Sequence, residues 1–186
     1  MHASTCLVHT IHSPIGPLIT AATSAGVCFL EFPGPERLDV QMATLRRYIA
    51  GEPVAGMNAH LEQLHAELAA YFAGSLTRFT VPLVTPGTPF EQKVWAELQR
   101  IPYGETRSYQ EIACAVSGIT AQRAVGRANG ANRIAIVVPC HRVVNKDGKL
   151  GGYGGELWRK EMLLGLERTG TLAPLKRVPA QAALFQ

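Results

Sequence analysis

The sequence is short of the features that mark membrane and secreted proteins. No apolar run approaches the roughly 20 residues that a transmembrane helix needs, so we expect no membrane contact. Only four cysteines occur, at positions 6, 28, 114 and 140, with neither a Cys-x-x-Cys spacing nor a paired framework. A disulfide-stapled scaffold is therefore excluded and reduced thiols are expected. The first residues lack a basic segment followed by an apolar one, which predicts no signal peptide and a cytoplasmic location.

Charge is also scarce and nearly balanced. Charged residues make up 17% of the 186 positions and hydrophobic residues 47%, a composition that excludes an intrinsically disordered chain. Eighteen Lys and Arg residues against 14 Asp and Glu residues leave a net charge of +4. This small excess is compatible with a nucleic-acid partner but does not require one. A chain of this length can bury one good core or two small ones.

The order of the predicted elements divides the chain in two. In the first third, short apolar runs alternate with turn signals, which predicts an antiparallel meander of strands at 6–11, 18–23 and 27–32. Helical spacing then predicts helices at 36–50 and 58–72. A proline-rich segment marks a boundary, and the predicted units are a first domain (1–81), a linker (82–88), a second domain (89–170) and a loosely held tail (171–186).

The most informative segment joins an apolar run to three reactive side chains. Residues 134–138 predict a buried strand, which ends at Pro139 because proline has no N–H for the ladder. Cys140, His141 and Arg142 follow directly. A thiol attacks well only as a thiolate, and nearby positive charge lowers its pKa from about 8.5. A lone cysteine in an apolar run is usually a small buried hydrophobic residue, but the adjacent base and cation favour a nucleophile.

The base beside this cysteine needs a route to the sulfur and a group that orients it. Adjacent strand side chains point to opposite faces, so His141 reaches Cys140 directly only if the chain turns, and otherwise through a bridging water; either route activates the thiol. Glu167 is the candidate for orienting His141, because an acid near the end of a helix is disfavoured by the helix dipole unless it has a partner. The spacing leaves an alternative equally open, a solvated carboxylate paired with Arg168 or Lys160.

A helix-turn-helix pattern precedes the cysteine. A capping box at 88–91 opens one helix, and a second capping box at 108–111 opens another that runs through residue 115. A short turn containing glycine then leads into a further helix from 121 towards 130. Two short helices joined in this way are typical of helix-turn-helix proteins. An amphipathic helix is also predicted over 156–168.

The last helix of that pair has an unusual composition for a DNA-reading helix. Ala124, Val125 and Ala128 form a narrow packing stripe, while Arg123 and Arg127, with Gly130, lie on another face. A major-groove reader presents several side chains that hydrogen-bond to base edges. Arginines among small residues instead favour close approach in the minor groove with little sequence readout. The alternative is a flexible helix end.

Five segments in this order resemble the O6-alkylguanine-DNA alkyltransferases, namely 101–109, 123–126, 128–132, 139–143 and 152–155. The resemblance covers roughly residues 88–167 and extends weakly to 13–16. It implies a two-domain α+β fold, with an N-terminal ribonuclease-H-like α/β domain that has an antiparallel sheet. The C-terminal domain would be a winged-helix, helix-turn-helix unit that carries the active site.

The resemblance also implies an activity and the residues for it. The protein would transfer an alkyl group once from O6-alkylguanine, and less well from O4-alkylthymine, to Cys140 in a suicide reaction without a cofactor. Tyr109 would help to rotate the nucleotide out of the duplex and donate a proton or hydrogen bond to the leaving base. Asn132 would brace the turn beside the thiol, and Glu167 would hold His141.

Under the same resemblance, the partner is double-stranded DNA carrying O6-alkylguanine. Arg123 would fill the gap left in the base stack, and the DNA contacts would come from Tyr109, Gln110, Arg123 and Arg127. The base pocket would be shaped by Val143, Tyr153, Gly154 and Gly155. We expect a monomer, and the sequence leaves cooperative binding on DNA open.

The chain departs from the family pattern at two positions. Arg133 stands where many members have a proline, which removes a rigid ring from that turn. Gly154 stands where a serine is common, so only its backbone N–H could bond the O6 atom. Some relatives hold a structural zinc in the first domain, but the spacing of the possible ligands here favours buried thiols, and we predict no metal at Cys6, His9, His12 and Cys28.

Two other classes of function remain as alternatives. One is a helix-turn-helix regulator that binds damaged DNA without chemistry of its own, a role against which Cys140 argues. The other is a cysteine hydrolase, which would need an oxyanion hole for an acyl intermediate, and the sequence indicates none. Transfer of labelled methyl from DNA to protein separates all three.

Overall fold

A mixed four-stranded sheet forms the N-terminal half of the chain. The computed structural model describes residues 5–34, 39–40, 42–43, 45–49 and 52–174. Strands β1 (Leu7–Ser13), β2 (Gly16–Thr23) and β3 (Gly26–Glu31) form the predicted antiparallel meander. The short strand β4 (Val54–Ala55), which was not predicted, pairs in parallel with β1, so the sheet order is β3-β2-β1-β4.

One helix covers this sheet. Helix α1 (Ala59–Phe72) begins where the Asn58 side chain accepts a hydrogen bond from the Leu61 backbone N–H at 3.0 Å, and it confirms the helix predicted at 58–72. Its buried leucines join the core cluster with β1 and β2. Of the helix predicted at 36–50, residues 39–40, 42–43 and 45 are helical and 46–49 form turns, and the others lie outside the described residues.

The second half is helical, with one minimal sheet. Both predicted capping boxes form, at Thr88 and at Ser108. The elements are α2 (Pro89–Leu98), β5 (Arg107–Ser108), α3 (Tyr109–Val116), a 3-10 turn (Ile119–Ala121), α4 (Gln122–Gly130), a second 3-10 turn (Cys140–Arg142), β6 (Val143–Val144) and α5 (Leu157–Thr169). Strands β5 and β6 pair in parallel. The predicted helix-turn-helix therefore corresponds to α3 and α4.

The segment before Cys140 is a buried loop, so the predicted strand at 134–138 is wrong. Only Ile134 bridges to a strand, in parallel with Leu30. The Val137 N–H donates to the Ala135 carbonyl at 2.8 Å, which makes a three-residue turn around Ile136, whose φ is +69°. The run is apolar because the loop is buried, and a short apolar run does not reveal whether its backbone is extended.

The two halves share a core and an edge of the sheet. A single hydrophobic cluster includes residues of β1, α1, α2 and α5. The outer edge of β3 is covered by the second half, because Leu30 exchanges hydrogen bonds of 2.8 Å with the backbone of Arg133 and Ala135. A covered edge is also protected from pairing with other chains. The boundary predicted at 82–88 stays a prediction, and residues 175–186 of the predicted tail lie outside the described residues.

No helix within the described ranges is both long enough and apolar enough to cross a membrane.

Candidate active site

A cavity of about 310 Å³ opens beside Cys140. It lies between helix α4, the loop before Cys140, the loop at 152–155 and the end of β3. Six of the predicted site residues line it: Tyr109, Asn132, Cys140, Tyr153, Gly154 and Gly155. The lining also includes residues that were not predicted, namely Glu31, Gly126, Asn129, Gly130, Ala135 and Gly152.

Asn132 ties the cysteine loop together. Its side-chain Nδ2 donates to the Val138 carbonyl at 2.8 Å and lies 3.1 Å from Cys140 Sγ, while its Oδ1 accepts from the Ile134 N–H at 3.0 Å. Cys140 as a whole is only 6% exposed. One amide therefore holds three points of the loop and places a hydrogen-bond donor on the sulfur.

The chain turns at the cysteine, yet the imidazole does not bond the thiol directly. Pro139 has φ −81° and ψ 62°, and the Cys140 N–H donates to the Val138 carbonyl at 2.8 Å across it. The 3-10 turn that follows sends His141 towards α5, where its Nε2 lies 2.7 Å from Glu167 Oε1. Its Nδ1 is buried without a hydrogen-bond partner among the residues that the structure describes. Of the two predicted routes to the sulfur, the direct one is not formed.

Glu167 is a buried carboxylate that collects donors from both halves of the chain. Arg142 donates to it through Nε at 2.8 Å and Nη2 at 2.9 Å. The Tyr71 hydroxyl donates at 2.8 Å and the Gly104 N–H at 3.1 Å, in addition to His141. The alternative of a solvated acid does not hold, because this side chain has no exposed surface.

The charges around this carboxylate set the state of the imidazole. Burial by itself would raise the pKa of Glu167, but hydrogen bonds and charge from His141 and Arg142 hold its pKa well below the usual range. Burial lowers the pKa of His141, although Glu167 opposes that shift. An ionised carboxylate only accepts hydrogen bonds, so Nε2 carries the ring proton and the neutral ring leaves Nδ1 as an acceptor.

A buried lysine that the sequence interpretation did not assign to the site lies next to it. Lys160 has no exposed surface and donates to the carbonyls of Val143 at 2.6 Å and Gly151 at 3.4 Å, not to Glu167. Burial lowers its pKa to about 8, against a favourable interaction with the Cys140 sulfur. Its spacing of seven residues from Glu167, two helical turns, could have indicated a shared inward face.

Tyr109 is the first residue of α3 and lines the same cavity as Cys140. Burial raises its pKa, the charge of Cys140 raises it further, and a hydrogen bond with the Asn129 side chain opposes both. The hydroxyl therefore keeps its proton at neutral pH. A Cβ on Gly151 would lie 2.9 Å from the Tyr109 ring, so glycine is required for this close approach.

Helix α4 presents its arginines to solvent and its glycines to the cavity. Val125 and Ala128 are buried as predicted, whereas Arg123 and Arg127 are exposed. A Cβ placed on either of its glycines, Gly126 and Gly130, would meet nothing within 4 Å. Packing within the protein thus does not require glycine at these positions, which keep a surface open beside the cavity. Gln110 is half-buried in the first turn of α3.

Family models match both halves of the chain. One, described as "6-O-methylguanine DNA methyltransferase, ribonuclease-like domain", matches residues 6–85. The other, described as "6-O-methylguanine DNA methyltransferase, DNA binding domain", matches residues 89–169. The chain belongs to the 6-O-methylguanine DNA methyltransferase family. The predicted family and the predicted two-domain α+β fold are confirmed.

Individual relatives of this methyltransferase family match most of the chain. The "Methylated-DNA--protein-cysteine methyltransferase" of Mycobacterium tuberculosis is 47% identical over 176 residues, which are 95% of this chain and 96% of the relative. The protein of the same name from Methanosarcina barkeri is 42% identical over 158 residues, which are 84% of this chain and 94% of the relative. The crystal structure of Mycobacterium tuberculosis OGT in complex with DNA superposes with a TM-score of 0.75 at 43% identity, covering 97% of this chain and 99% of that one.

The turn after Asn132 is held by Arg133, which stands where many family members have a proline. Arg133 is buried, and its Nη1 donates to the Pro86 carbonyl. Its guanidinium lies 5.5 Å from the ring centroids of both Trp95 and Tyr48. These contacts anchor the turn from outside, so it does not depend on a rigid ring.

Two further predictions concern residues away from the cavity, namely Val143 in the base pocket and the cysteines of the first domain. Val143 is fully buried in β6 and does not line the cavity, and its contribution is the carbonyl that binds Lys160. In the first domain, the sulfurs of Cys6 and Cys28 lie 4.0 Å apart. The described part of the chain contains no group of three or more His, Cys, Asp and Glu residues that could hold a metal ion.

Proposed function

We propose that this protein repairs double-stranded DNA by direct reversal of damage, as a methylated-DNA–[protein]-cysteine S-methyltransferase that acts once. The alkyl group of O6-alkylguanine, and less readily that of O4-alkylthymine, is transferred to Cys140 without a cofactor. The observation that carries this proposal is the Cys140 sulfur, which lines a cavity beneath an arginine-bearing helix and touches the Asn132 amide at 3.1 Å. The next residue in the chain, His141, is paired with the buried Glu167 carboxylate at 2.7 Å.

DNA binding is the task of the helix-turn-helix. The exposed side chains of Arg123 and Arg127 offer charge to the backbone, and the open surface at Gly126 and Gly130 allows close approach in the minor groove. Flipping a base out of the stack costs a few kcal/mol. Arg123 offsets this cost by occupying the vacated stack, and Tyr109 and Gln110 at the start of α3 contact the DNA beside the displaced nucleotide.

The flipped base is held by the loop at 152–155 and by Tyr109. Tyr153 and the backbone of Gly154 and Gly155 shape the pocket, and a backbone N–H takes the place of a serine hydroxyl at the O6 atom. Val143 supports this wall from behind through Lys160, whose other acceptor is the Gly151 carbonyl. The raised pKa of Tyr109 keeps its hydroxyl protonated as a donor to the leaving base.

The transfer step is a displacement at the alkyl carbon. The Cys140 thiol loses its proton to Nδ1 of His141 through a bridging water, because Nε2 is occupied by Glu167. The buried charge of Lys160 stabilises the thiolate. The sulfur forms a bond to the alkyl carbon as the C–O6 bond breaks, and the electron pair passes to the guanine ring. Tyr109 protonates the leaving base and takes a proton back from solvent, to which His141 returns the proton that it accepted from the thiol, so the products are a cysteine thioether and guanine.

The reaction ends after one transfer because a thioether has no carbonyl for water to attack and no good leaving group. With methylated duplex in excess, labelled methyl on the protein should plateau at one per chain. The added methyl must fit a close-packed site, where overpacking costs about 1–3 kcal/mol, so the alkylated protein should melt at a lower temperature. Turnover beyond one equivalent would contradict suicide transfer, and no transfer at all would leave a regulator that only binds damage.

We also propose that the protein acts as a monomer in the cytoplasm. The thiol chemistry needs a reducing compartment, and no disulfide joins any of the described cysteines.

A further inference from the structure

The loop that closes the candidate base pocket has little structure of its own. This pocket loop, residues 152–156, leads into helix α5 without forming a strand or a helix. Three of its five residues are glycine. Glycine loses more conformational freedom on ordering than any other residue, so such a loop keeps one shape only if its surroundings impose it. Tyr153, Gly154 and Gly155 of this loop line the cavity at Cys140.

The side chain of Arg159 connects the pocket loop to the N-terminal domain. Its Nη1 donates to the Gly155 carbonyl at 3.2 Å, and its Nε donates to the Ile15 carbonyl at 2.8 Å. Ile15 lies in the tight turn between β1 and β2. The guanidinium therefore fastens the last glycine of the pocket loop to a turn whose Ile15 precedes Arg159 by 144 residues in the sequence.

The surroundings of this guanidinium are shaped to receive it. Its Cζ lies over two aromatic rings, 4.6 Å from the centroid of Phe32 and 4.4 Å from that of Trp158, so both rings attract the cation. Gly16 has φ +110°, and a Cβ at this position would lie 3.0 Å from Nη2 of Arg159. The turn at 13–16, which the proposed chemistry does not use, thus fits the arginine.

The end of the pocket loop carries backbone strain that the same arginine helps to maintain. Glu156 is a non-glycine residue with φ +71° and ψ 146°. Its Oε2 accepts from the indole N–H of Trp158 and lies 3.4 Å from Nη1 of Arg159. A residue stays in such a conformation only when its surroundings over-determine it. Both donors come from the first turn of α5.

We propose that Arg159 is a positioning residue for the base pocket. It holds the pocket loop in the shape that receives the flipped base, and it uses the turn at 13–16 of the N-terminal domain as its anchor. Arg159 does not line the cavity, so it acts through Gly155 and Glu156. This inference rests on the proposed function, because the pocket is defined by the base whose alkyl group Cys140 accepts.

The test measures alkylation of the whole protein by free O6-benzylguanine in single turnovers, well below the melting temperature, over a range of base concentrations. Arg159→Met keeps an apolar stem against the two rings and removes every N–H donor. Binding of the base must then order the pocket loop, which costs affinity, so the half-saturating concentration should rise roughly 10- to 100-fold. The maximal rate should change far less, because the thiol and its base are untouched. Arg159→Lys, which cannot bridge both carbonyls, should fall in between.

Two control variants separate positioning from stability. Arg168→Ala removes an exposed arginine from the same helix and should leave both kinetic constants unchanged. Glu156→Gly relieves the backbone strain and removes one contact of Arg159 but leaves both of its carbonyl contacts, so its half-saturating concentration should rise less than that of Arg159→Met. If Arg159→Met does not fold, Arg159→Lys and Gly16→Ala supply the measurement, because a methyl group on Gly16 would press on Nη2.

The outcomes are distinguishable. A normal half-saturating concentration in a folded Arg159→Met variant, with only its melting temperature lowered, would overturn the positioning role. Failure of the proposed function has another signature, since the unaltered protein would then not be alkylated by the base at all.

Discussion

The Nδ2 atom of Asn132 lies 3.1 Å from the sulfur of Cys140 and 2.8 Å from the carbonyl oxygen of Val138. The amide therefore couples the shape of the cysteine loop to the state of the thiol, because the donor that braces the backbone also stabilises negative charge on sulfur. The loop needs such a brace, since Ile136 is a β-branched residue with φ +69°. Strain of this kind, held by a polar network, is frequent at sites that carry chemistry.

Replacing the nucleophile should separate chemistry from binding. Cys140→Ser should abolish methyl transfer, because one imidazole cannot ionise an alcohol, while binding to methylated duplex stays nearly intact. Cys114→Ser is the matched control, since that thiol is exposed on α3 and lies outside the cavity. Labelled-methyl transfer and a gel-shift titration on the two variants check both statements. Demethylation by Cys140→Ser would show that another residue is the nucleophile.

The hydrogen-bond network around Glu167 should lose more when the carboxylate charge is removed than when one donor to it is removed. Glu167→Gln leaves the buried charge of Arg142 without its partner, which typically costs about 3–5 kcal/mol, and it also frees the His141 ring. Tyr71→Phe removes one hydrogen bond to a charged group, at about 1.5–3 kcal/mol, and leaves the His141 contact in place. Urea unfolding and single-turnover rates should show a large loss of both stability and rate in the first variant and chiefly of stability in the second. Equal rate losses would contradict an orienting role for Glu167.

Arg123 of helix α4 should affect the rate only when a base has to be flipped out of the duplex. Arg123→Ala should slow repair of methylated duplex by about 10- to 100-fold, which corresponds to the few kcal/mol that flipping costs. Alkylation by free O6-benzylguanine should remain close to normal, because no stack has to be opened or filled. Both rates are measured on the same preparation. Equal losses on the two substrates would assign Arg123 to folding.

Acid should destabilise the protein through His141. Its pKa is lowered in the folded state by burial, below the ordinary value of 6.5. Between the folded and unfolded pKa values the unfolded chain binds more protons, so the stabilising contribution is complete above pH 6.5 and is lost as the pH falls through the folded pKa. The alkylation rate should fall over the lower part of that range, as Nδ1 becomes protonated and ceases to be an acceptor.

The measurement for this prediction is the melting temperature against pH, compared with His141→Gln. The difference between the two proteins should shrink as the solution becomes more acidic, because only the unaltered protein loses stability by titrating this ring. Parallel curves would exclude His141 as the group responsible.

The features that could be inferred without the structure are encoded locally. Both capping boxes, the helix-turn-helix and the reactive triplet after Pro139 depend on residues within a few positions of one another, and the structure contains each of them. The apolar segment at 134–138 shows where local inference stops. Burial and extension leave the same hydrophobic signature, and only the hydrogen bonds of Asn132 and Leu30 reveal a folded loop.

The rest of the site depends on contacts between distant parts of the chain. Tyr71 reaches Glu167 across 96 positions, and Arg159 reaches Ile15 across 144. Lys160 was one of the two alternative surface partners for Glu167, yet it is fully buried and donates to the Val143 carbonyl of β6. Such contacts form because a shared core brings these elements together, and no periodicity or motif within a single element carries that information. The sequence could therefore predict which cysteine and histidine belong to the site, while the packing of the two halves decided what surrounds them.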